Sequence, residues 1–517
     1  MQPVPAPQSS AAASTAEELR ACLSTLRAIV EDRSVLQALG EAERLALLEA
    51  AGRVQHPTRD ATARQAKAKR RRENSEKREK DRAAFASTKI RSLRSAPLLA
   101  PALALPEGPT PLPPAGRQRL ETPRYCYVCK APFQDLHAFY DAMCPPCGDF
   151  NYAKRFQRAP LQGLVALVTG ARVKIGFQAS LMLLRSGAKV IATTRFPNDA
   201  ALRYAQESDF EVWKHRLQIH GLDLRHAPSV ELFAQYLTRT ESRLDILLNN
   251  AAQTVRRPPG FYAHLSERER LHQDELPPAA RPLLASHHAC VRTLDSGETN
   301  PQALKASWRS HDASLGIRAS AALSQLPYAL EQQGDIETLF PSGKLDADQQ
   351  QVDLRAVNSW RLSLHEVQTA EMLEVHLVNA VAPFILCGKL KPLMLKDRSV
   401  SGHIVNVSAM EGSFSRGTKT DKHPHTNMAK AALNMMTLTA AKDYAKSRIW
   451  MNAVDTGWVT DEDPALHADR KATELGFQPP LDVVDGAARI VDPVFSAVRD
   501  GVELWGHFLK DYKPTSW

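Results

Sequence analysis

At 517 residues the chain exceeds one ordinary domain, so two or more folded parts are expected, and its 43% hydrophobic content supports a sizeable core. Net charge is +9, with much of the excess before residue 125, which points to an acidic partner for the N-terminal arm rather than for the remainder. No apolar run approaches the ~20 residues that cross a bilayer, Met1–Arg20 lacks the order of a secretory signal, and Glu17 and Glu18 weigh against a transit peptide. Seven cysteines, four of them in one cluster, read as metal ligands rather than a disulfide framework, and so as a reducing, cytoplasmic setting.

Residues 1–16 are rich in Pro, Ala, Ser and Gln and are expected to be disordered. From Ala16 to about Val54, leucines such as Leu19, Leu23, Leu26, Leu36, Leu45 and Leu48 recur at helical spacing, predicting two amphipathic helices joined near Gly40. A packing hairpin is the plainer reading and a helix that recognises a protein partner the alternative. Lys67, Lys69, Arg70, Arg71 and Arg72 form a basic run, followed by Glu73, Glu76, Glu79 and Asp81 among further cations. A solvated helix with i,i+4 ion pairs accounts for it; a nuclear address or a nucleic-acid contact is the other reading, and no aromatic side chain is interleaved for base stacking. The arm (1–95) is followed by a proline-rich linker (96–117), a four-cysteine module (118–158) and a larger domain (159–517).

Cys126-x-x-Cys129 is followed by Cys144-x-x-Cys147. Two such knuckles close a tetrahedral thiolate site, and soft sulfur ligands suit a structural Zn²⁺ with no open position for catalysis. Gly148 after the second knuckle is expected to permit a tight turn that donates to a sulfur, and His137 to be a packing or surface residue. The pattern is that of a zinc ribbon or treble clef, with so short a linker to the next domain that bracing is its simplest role.

Leu164–Val168 is an apolar run typical of a buried parallel strand. It enters the turn Thr169-Gly170-Ala171-Arg172-Val173-Lys174-Ile175-Gly176, then a helical pattern, then the run Ala188–Thr194. Strand, glycine turn, helix and strand are the βαβ context of a dinucleotide-binding site. Here the chain resembles the short-chain dehydrogenase/reductase superfamily, whose turn reads Thr-Gly-x-x-x-Gly-x-Gly, with Lys174 in place of the middle glycine. Further matches follow in family order: Asp223 at the third strand end, Asn249-Asn250-Ala251-Ala252, Asn379 with Pro383, the strand Gly402–Ser408, and Asn452–Gly457. The resemblance implies an α/β fold, a doubly wound parallel-sheet Rossmann domain. It is interrupted by a helical insertion at about 255–352, with short helices at Ala303–Trp308 and Ala319–Leu330, that leaves the ligand-binding edge of the sheet and either caps the cleft or presents a protein interface.

It also implies nucleotide contacts from Thr169, Gly170, Arg172, Lys174, Ile175, Gly176, Arg195, Asp223, Asn250 and Lys430. Arg195 stands where NAD-preferring members carry an acidic residue, so NADP is favoured over NAD. The catalytic set implied by the family is Asn379, a serine, a tyrosine and Lys430. Thr426 stands at the tyrosine position, and a threonine hydroxyl is shorter and far less acidic than a phenol. Alignment on Asn406 puts Ser408 one place before the family's serine, whose position Ala409 then takes, and counting back from Thr426 gives Ser413 instead. His425 and His423 titrate near neutrality and are candidates for the missing acid. Two functions compete: an NADP(H)-dependent oxidoreductase with an atypical acid, acting on a small carbonyl or alcohol, and a nucleotide-binding pseudo-enzyme that serves as a scaffold or sensor. A nucleic-acid-binding protein built on the basic arm and zinc module is the third. Family members commonly associate through the helices flanking Asn379 and Lys430, which implies a homo-oligomer unless the insertion blocks that face.

Overall fold

A computed structural model describes residues 10–56, 58–95, 118–295, 306, 312–328, 335–346, 350–397 and 399–517. The proline-rich linker at 96–117 lies outside the described residues, as does all of the short helix expected at Ala303–Trp308 except residue 306. The chain divides into two units, one ending at Glu79 and one running Lys80–Trp517.

The first unit is helical: Ser10–Glu31, a 3-10 turn at Arg33–Ala38, Glu41–Gln55 and most of Arg59–Ala86. Its first helix begins inside the stretch expected to be disordered. Asp32 ends that helix and caps the next turn, its carboxylate accepting from Ser34 N at 2.8 Å. Leu19, Leu23, Leu45 and Leu48 are exposed, while Leu36 in the intervening turn is buried. The basic run is a solvated helix face, with Arg72 and Glu76 paired at 2.9 Å one turn apart.

Residues 80–95 belong to the second unit, so the arm is shorter than the 1–95 read from composition. Asp81 accepts from Glu121 N at 2.7 Å, and the helix Lys89–Ser95 buries Ile90 among the side chains of the cysteine module. That module is a two-stranded antiparallel ribbon, β1 (Arg119–Tyr125) and β2 (Pro132–Asp135), followed by the helix Pro145–Lys154.

The remaining strands are β3 (Val165–Thr169), β4 (Lys189–Thr194), β5 (Leu217–Gly221), β6 (Ile246–Asn249), β7 (Gly402–Ser408), β8 (Ile449–Asp455), β9 (Phe508–Lys510) and β10 (Lys513–Thr515). They form one sheet in the order β5-β4-β3-β6-β7-β8-β9-β10, parallel except for β10. This is the doubly wound arrangement expected, with the order reversing between β3 and β6. One core cluster packs the helices Lys174–Arg185 and Val483–Asp500 on one face. The other face carries Ala227–Thr240 and the helical stretch Thr369–Met394. That stretch is long and apolar enough to cross a bilayer, contrary to the sequence expectation. Here it is a core element, with Leu386, Leu390 and Leu393 fully buried.

The insertion covers the β5 edge. Gly221 N donates to His287 Nδ1 at 3.3 Å, and Asp223 N to Gly316 O at 2.7 Å. Short helices at Leu315–Arg318 and Ser320–Leu323 stand where one helix was expected from Ala319.

The cysteine module docks on the Rossmann domain through buried polar contacts. Arg155 pairs with Asp482 at 2.7 Å and Asp485 at 2.9 Å, and Tyr140 OH donates to Asp485 at 2.5 Å. His137 is a packing residue: its Nδ1 accepts from Phe139 N and Tyr140 N. Gly148 lies in a helix, where a Cβ would stand 2.5 Å from the His137 ring, so close packing rather than a turn toward sulfur requires glycine there. Removing one partner of a buried ion pair leaves an uncompensated charge. Arg155→Ala is therefore expected to cost about 3–5 kcal/mol in denaturant unfolding of the whole chain. A loss below about 1 kcal/mol, the range of surface pairs, would show that this pair does not hold the module.

Candidate functional site

At the switch between β3 and β6 the strand ends open into a cleft of about 1040 Å³. Its floor is the glycine turn. Gly170 has φ +66°, and a Cβ there would stand 2.9 Å from Ala251 Cα. A Cβ on Gly176 would be 2.3 Å from Gly170 O and 2.4 Å from Asn250 Nδ2. Asn250 ties the turn down, donating to Thr169 O at 2.9 Å and Gly170 O at 3.2 Å. Thr169 Oγ1 accepts from the backbone N–H groups of Asn250 and Ala251, both at 3.0 Å, and lies behind the cleft wall. The helix Lys174–Arg185 begins at the turn, so its free N–H groups and positive end face the cleft beside Ile175 and Gly176.

Lys174, in the place of the family's middle glycine, keeps the glycine-like backbone at φ 55°. Its charge meets an acid across the cleft. Burial raises the Glu462 carboxyl, but Lys174 and Arg257, with hydrogen bonds from Thr460 and Thr254, hold it below its ordinary value. Arg172, expected at the phosphates, borders the cleft but pairs with buried Asp199 at 2.7 Å. Arg203 and Arg268 bind the same carboxylate, which Arg172 and Arg203 keep ionised despite burial. Arg172 thus completes an internal cluster rather than a phosphate site. Asp223 lines the cleft with its carboxylate held by Arg225 at 2.6 Å.

Arg195 differs. Its Nη2 donates to Tyr262 OH at 2.8 Å, and its guanidinium lies 4.9 Å from that ring's centroid. Burial raises the Tyr262 phenol, yet Arg195, Arg257 and Arg225 bring it below its ordinary value. The insertion supplies the outer wall of this end of the cleft through Phe261 and Tyr262.

At the other end stands Lys430, buried, its Nζ donating to Val407 O at 2.7 Å. Burial pushes it down to about 8, opposed by Glu411. Ser408 borders the cleft, but its hydroxyl donates to Asn434 Oδ1 at 2.5 Å. Ser413 is buried with its hydroxyl against Ser415, away from the cleft. Asn379 sits in a π-helical turn and grips Gln253, accepting from its N–H at 2.7 Å and donating to its carbonyl at 3.0 Å. It thus shapes the cleft wall without lining it.

Thr426 and His425 do not line the cleft. Thr426 Oγ1 donates to His423 O at 2.9 Å, inside its own helix turn. His425 is buried with Nε2 3.7 Å from Glu371. His423 is the imidazole that enters the cleft, on a left-handed backbone (φ 41°), stacked 3.8 Å from the Trp360 centroid at 6°. Burial lowers its pKa, opposed by Glu411. Two further lining residues, Tyr127 and Lys130, come from the first cysteine knuckle, and no sequence signal places them here.

The knuckles themselves converge: the four sulfurs of Cys126, Cys129, Cys144 and Cys147 lie within 4.8 Å of one another, with Cys129 and Cys144 3.7 Å apart. A tetrahedron of Zn–S bonds of about 2.3 Å has sulfur edges of about 3.8 Å, so the donor set fits zinc.

Among known proteins, the short chain dehydrogenase profile matches residues 164–271 and the enoyl-(acyl carrier protein) reductase profile residues 354–475. The chain is 28% identical over 403 residues to uncharacterized protein R665 of Acanthamoeba polyphaga mimivirus, covering 75% of this chain and 74% of that one. Three quarters of the chain is more than residues 159–517 contain, so that likeness runs back into the four-cysteine module. It is 35% identical over 95 residues to mouse retinol dehydrogenase 13, a match spanning 18% of this chain and only 28% of that enzyme. The Pseudomonas aeruginosa RhlG/NADP active-site complex aligns with TM-score 0.39 and 17% identity over 68% of this chain and 94% of that one.

Lys430 gives a pH signature. Its folded pKa lies below the unfolded value of about 10.4. Below about 8 both states are protonated and the full burial penalty, on the order of 3 kcal/mol, is present; it is relieved as pH rises from about 8 to 10.4. Stability should therefore gain from this group across that window, and Lys430→Met should flatten the rise in urea midpoints. An unchanged slope would place the ammonium in water.

Proposed function

Because the domain that begins at Val165 belongs to the short-chain dehydrogenase/reductase superfamily, we propose that it is an NADP(H)-dependent oxidoreductase with His423 in place of the absent tyrosine. Its substrate is a small carbonyl or alcohol. The observation that carries this reading is the meeting of buried Lys430 and the imidazole of His423 in one cleft with the glycine turn. The residues fit a dinucleotide. Gly170 and Gly176 let the turn close tightly against Ala251 and Asn250, and the helix beginning at Lys174 offers a pyrophosphate positive charge. Arg195, whose partner is a phenol rather than a carboxylate, suits a 2′-phosphate.

When bound, the nicotinamide supplies or accepts hydride. His423 protonates the carbonyl oxygen in reduction and receives the proton in oxidation, its ring held in place by Trp360. Lys430 holds the nicotinamide-side ribose, as the family resemblance implies. The four thiolates hold one structural Zn²⁺. Exposed Phe384 on the Asn379 helix, with Met428 and Met435 on the Lys430 helix, supplies apolar surface for a second copy of the chain.

A second reading keeps the nucleotide and drops the chemistry. It is favoured by the Thr426 and Ser408 hydroxyls, both bonded inside the protein rather than directed at the cleft.

NADPH and NADH titrations, followed by a carbonyl panel, separate the two. Arg195→Ala should weaken NADPH about tenfold to hundredfold and NADH little. His423→Ala should lower kcat about 10²–10⁴-fold with the NADPH Kd unchanged. Reduction needs the imidazolium, whose pKa lies below 6.5, so its rate should fall as pH rises through that value. NADPH binding with no turnover would leave the second reading, and binding of neither nucleotide would sink both.

A further inference from the structure

Tyr127 and Val128 are the two residues between the sulfurs of the first knuckle, so a metal held by Cys126 and Cys129 fixes their backbone at both ends. Local bonds agree: Tyr127 N donates to Ala142 O at 2.8 Å and Cys126 N to Ala131 O at 2.9 Å. From that turn the Tyr127 ring leaves the module and enters the cleft. There its phenol oxygen accepts the backbone N–H of Trp458 at 2.9 Å.

Trp458 lies in the turn that follows β8. The preceding residue, Gly457, has φ +75°, and a Cβ on it would stand 3.1 Å from the same phenol oxygen and 2.4 Å from Leu481 Cδ1. The turn is therefore held between Leu481 on one side and the module's phenol on the other. The apolar cluster that holds Tyr127, Cys144 and Cys147 continues into Val459 of the turn after β8 and Ile175 of the glycine turn, both of which line the cleft. The thiolate site and these two lining residues thus share one packed layer, and a layer with little free volume transmits displacement.

We propose that Tyr127 is a positioning residue of the dinucleotide cleft, through which zinc at the four thiolates sets the place of the turn at 456–463 and hence the affinity for nucleotide. The ligand named rests on the dinucleotide reading above; the coupling between metal and turn does not.

The test uses the full-length chain and three readouts: hydrogen exchange at the Trp458 amide, the NADPH Kd by fluorescence, and zinc content. Tyr127→Phe removes the acceptor oxygen and keeps the ring. It should retain its zinc and its melting temperature, speed Trp458 exchange about tenfold, and raise the NADPH Kd severalfold. Chelation of wild-type protein should reproduce both effects, and added zinc should reverse them. Tyr125→Phe, two residues earlier on an exposed strand position, should change nothing. Wild-type exchange at Trp458 in both Tyr127→Phe and chelated protein overturns the proposal, and so does faster exchange with an unchanged NADPH Kd. If exchange rises while wild-type protein binds neither NADPH nor NADH, positioning by Tyr127 stands and the dinucleotide reading falls.

Discussion

Among the described glycines the tightest is Gly176, where a Cβ would lie 2.3 Å from Gly170 O. That contact folds the chain back at the end of β3, and Asn250 from the end of β6 clamps the turn from the other side. The two strands are neighbours at the point where the sheet order reverses. One contact therefore sets the strand order, opens the cleft and aims a helix N-terminus into it. It also explains which family glycine was free to change. A methyl at Gly176 would displace backbone, whereas Lys174 only keeps a left-handed φ, at a cost of about 1 kcal/mol. A domain stable by some 5–15 kcal/mol absorbs the second and not the first.

Charge follows the same economy of space. The cleft end formed by β4 and β5 carries several arginines, but most have carboxylate partners. Arg172 shares Asp199 with two others, Arg225 holds Asp223 and Glu374, and Arg257 holds Asp353. In a desolvated wall a guanidinium without an anion is costly, so cations and acids arrive together. Arg195 instead meets the Tyr262 phenol, which three arginines draw toward its anionic form. An incoming phosphate would meet a hydroxyl there rather than a carboxylate bound to the guanidinium.

How much of this was legible in the sequence depended on the range of the interactions. Parallel strands buried on both faces announce themselves as apolar runs, and Leu164–Val168 and Ala188–Thr194 did so. Ligand spacing placed the four cysteines together because two knuckles suffice to close a site. Long-range partners left no trace. Asp199, which claims Arg172, and Trp458, which claims Tyr127, lie far along the chain and carry no motif. Ser408 was placed at the cleft, but the direction of its hydroxyl depends on Asn434, one helix away.

The histidines show most sharply what a local pattern leaves undecided. His423, His425 and Thr426 fall within four residues, and helical spacing alone gives no ranking among them. The ranking comes from the start of the helix. Pro424 sits in its first turn, and His423 before it takes a left-handed backbone that a histidine adopts only at a cost. That conformation turns the imidazole into the cleft and onto Trp360. The same carbonyl, His423 O, receives the Thr426 hydroxyl and so turns it away from the cleft. A tyrosine at position 426 would carry its oxygen well beyond reach of that carbonyl, whereas threonine is short enough to bond it. The threonine hydroxyl and the strained histidine are thus two sides of one arrangement: the backbone bend that turns the imidazole into the cleft also presents the carbonyl that takes the Thr426 hydroxyl.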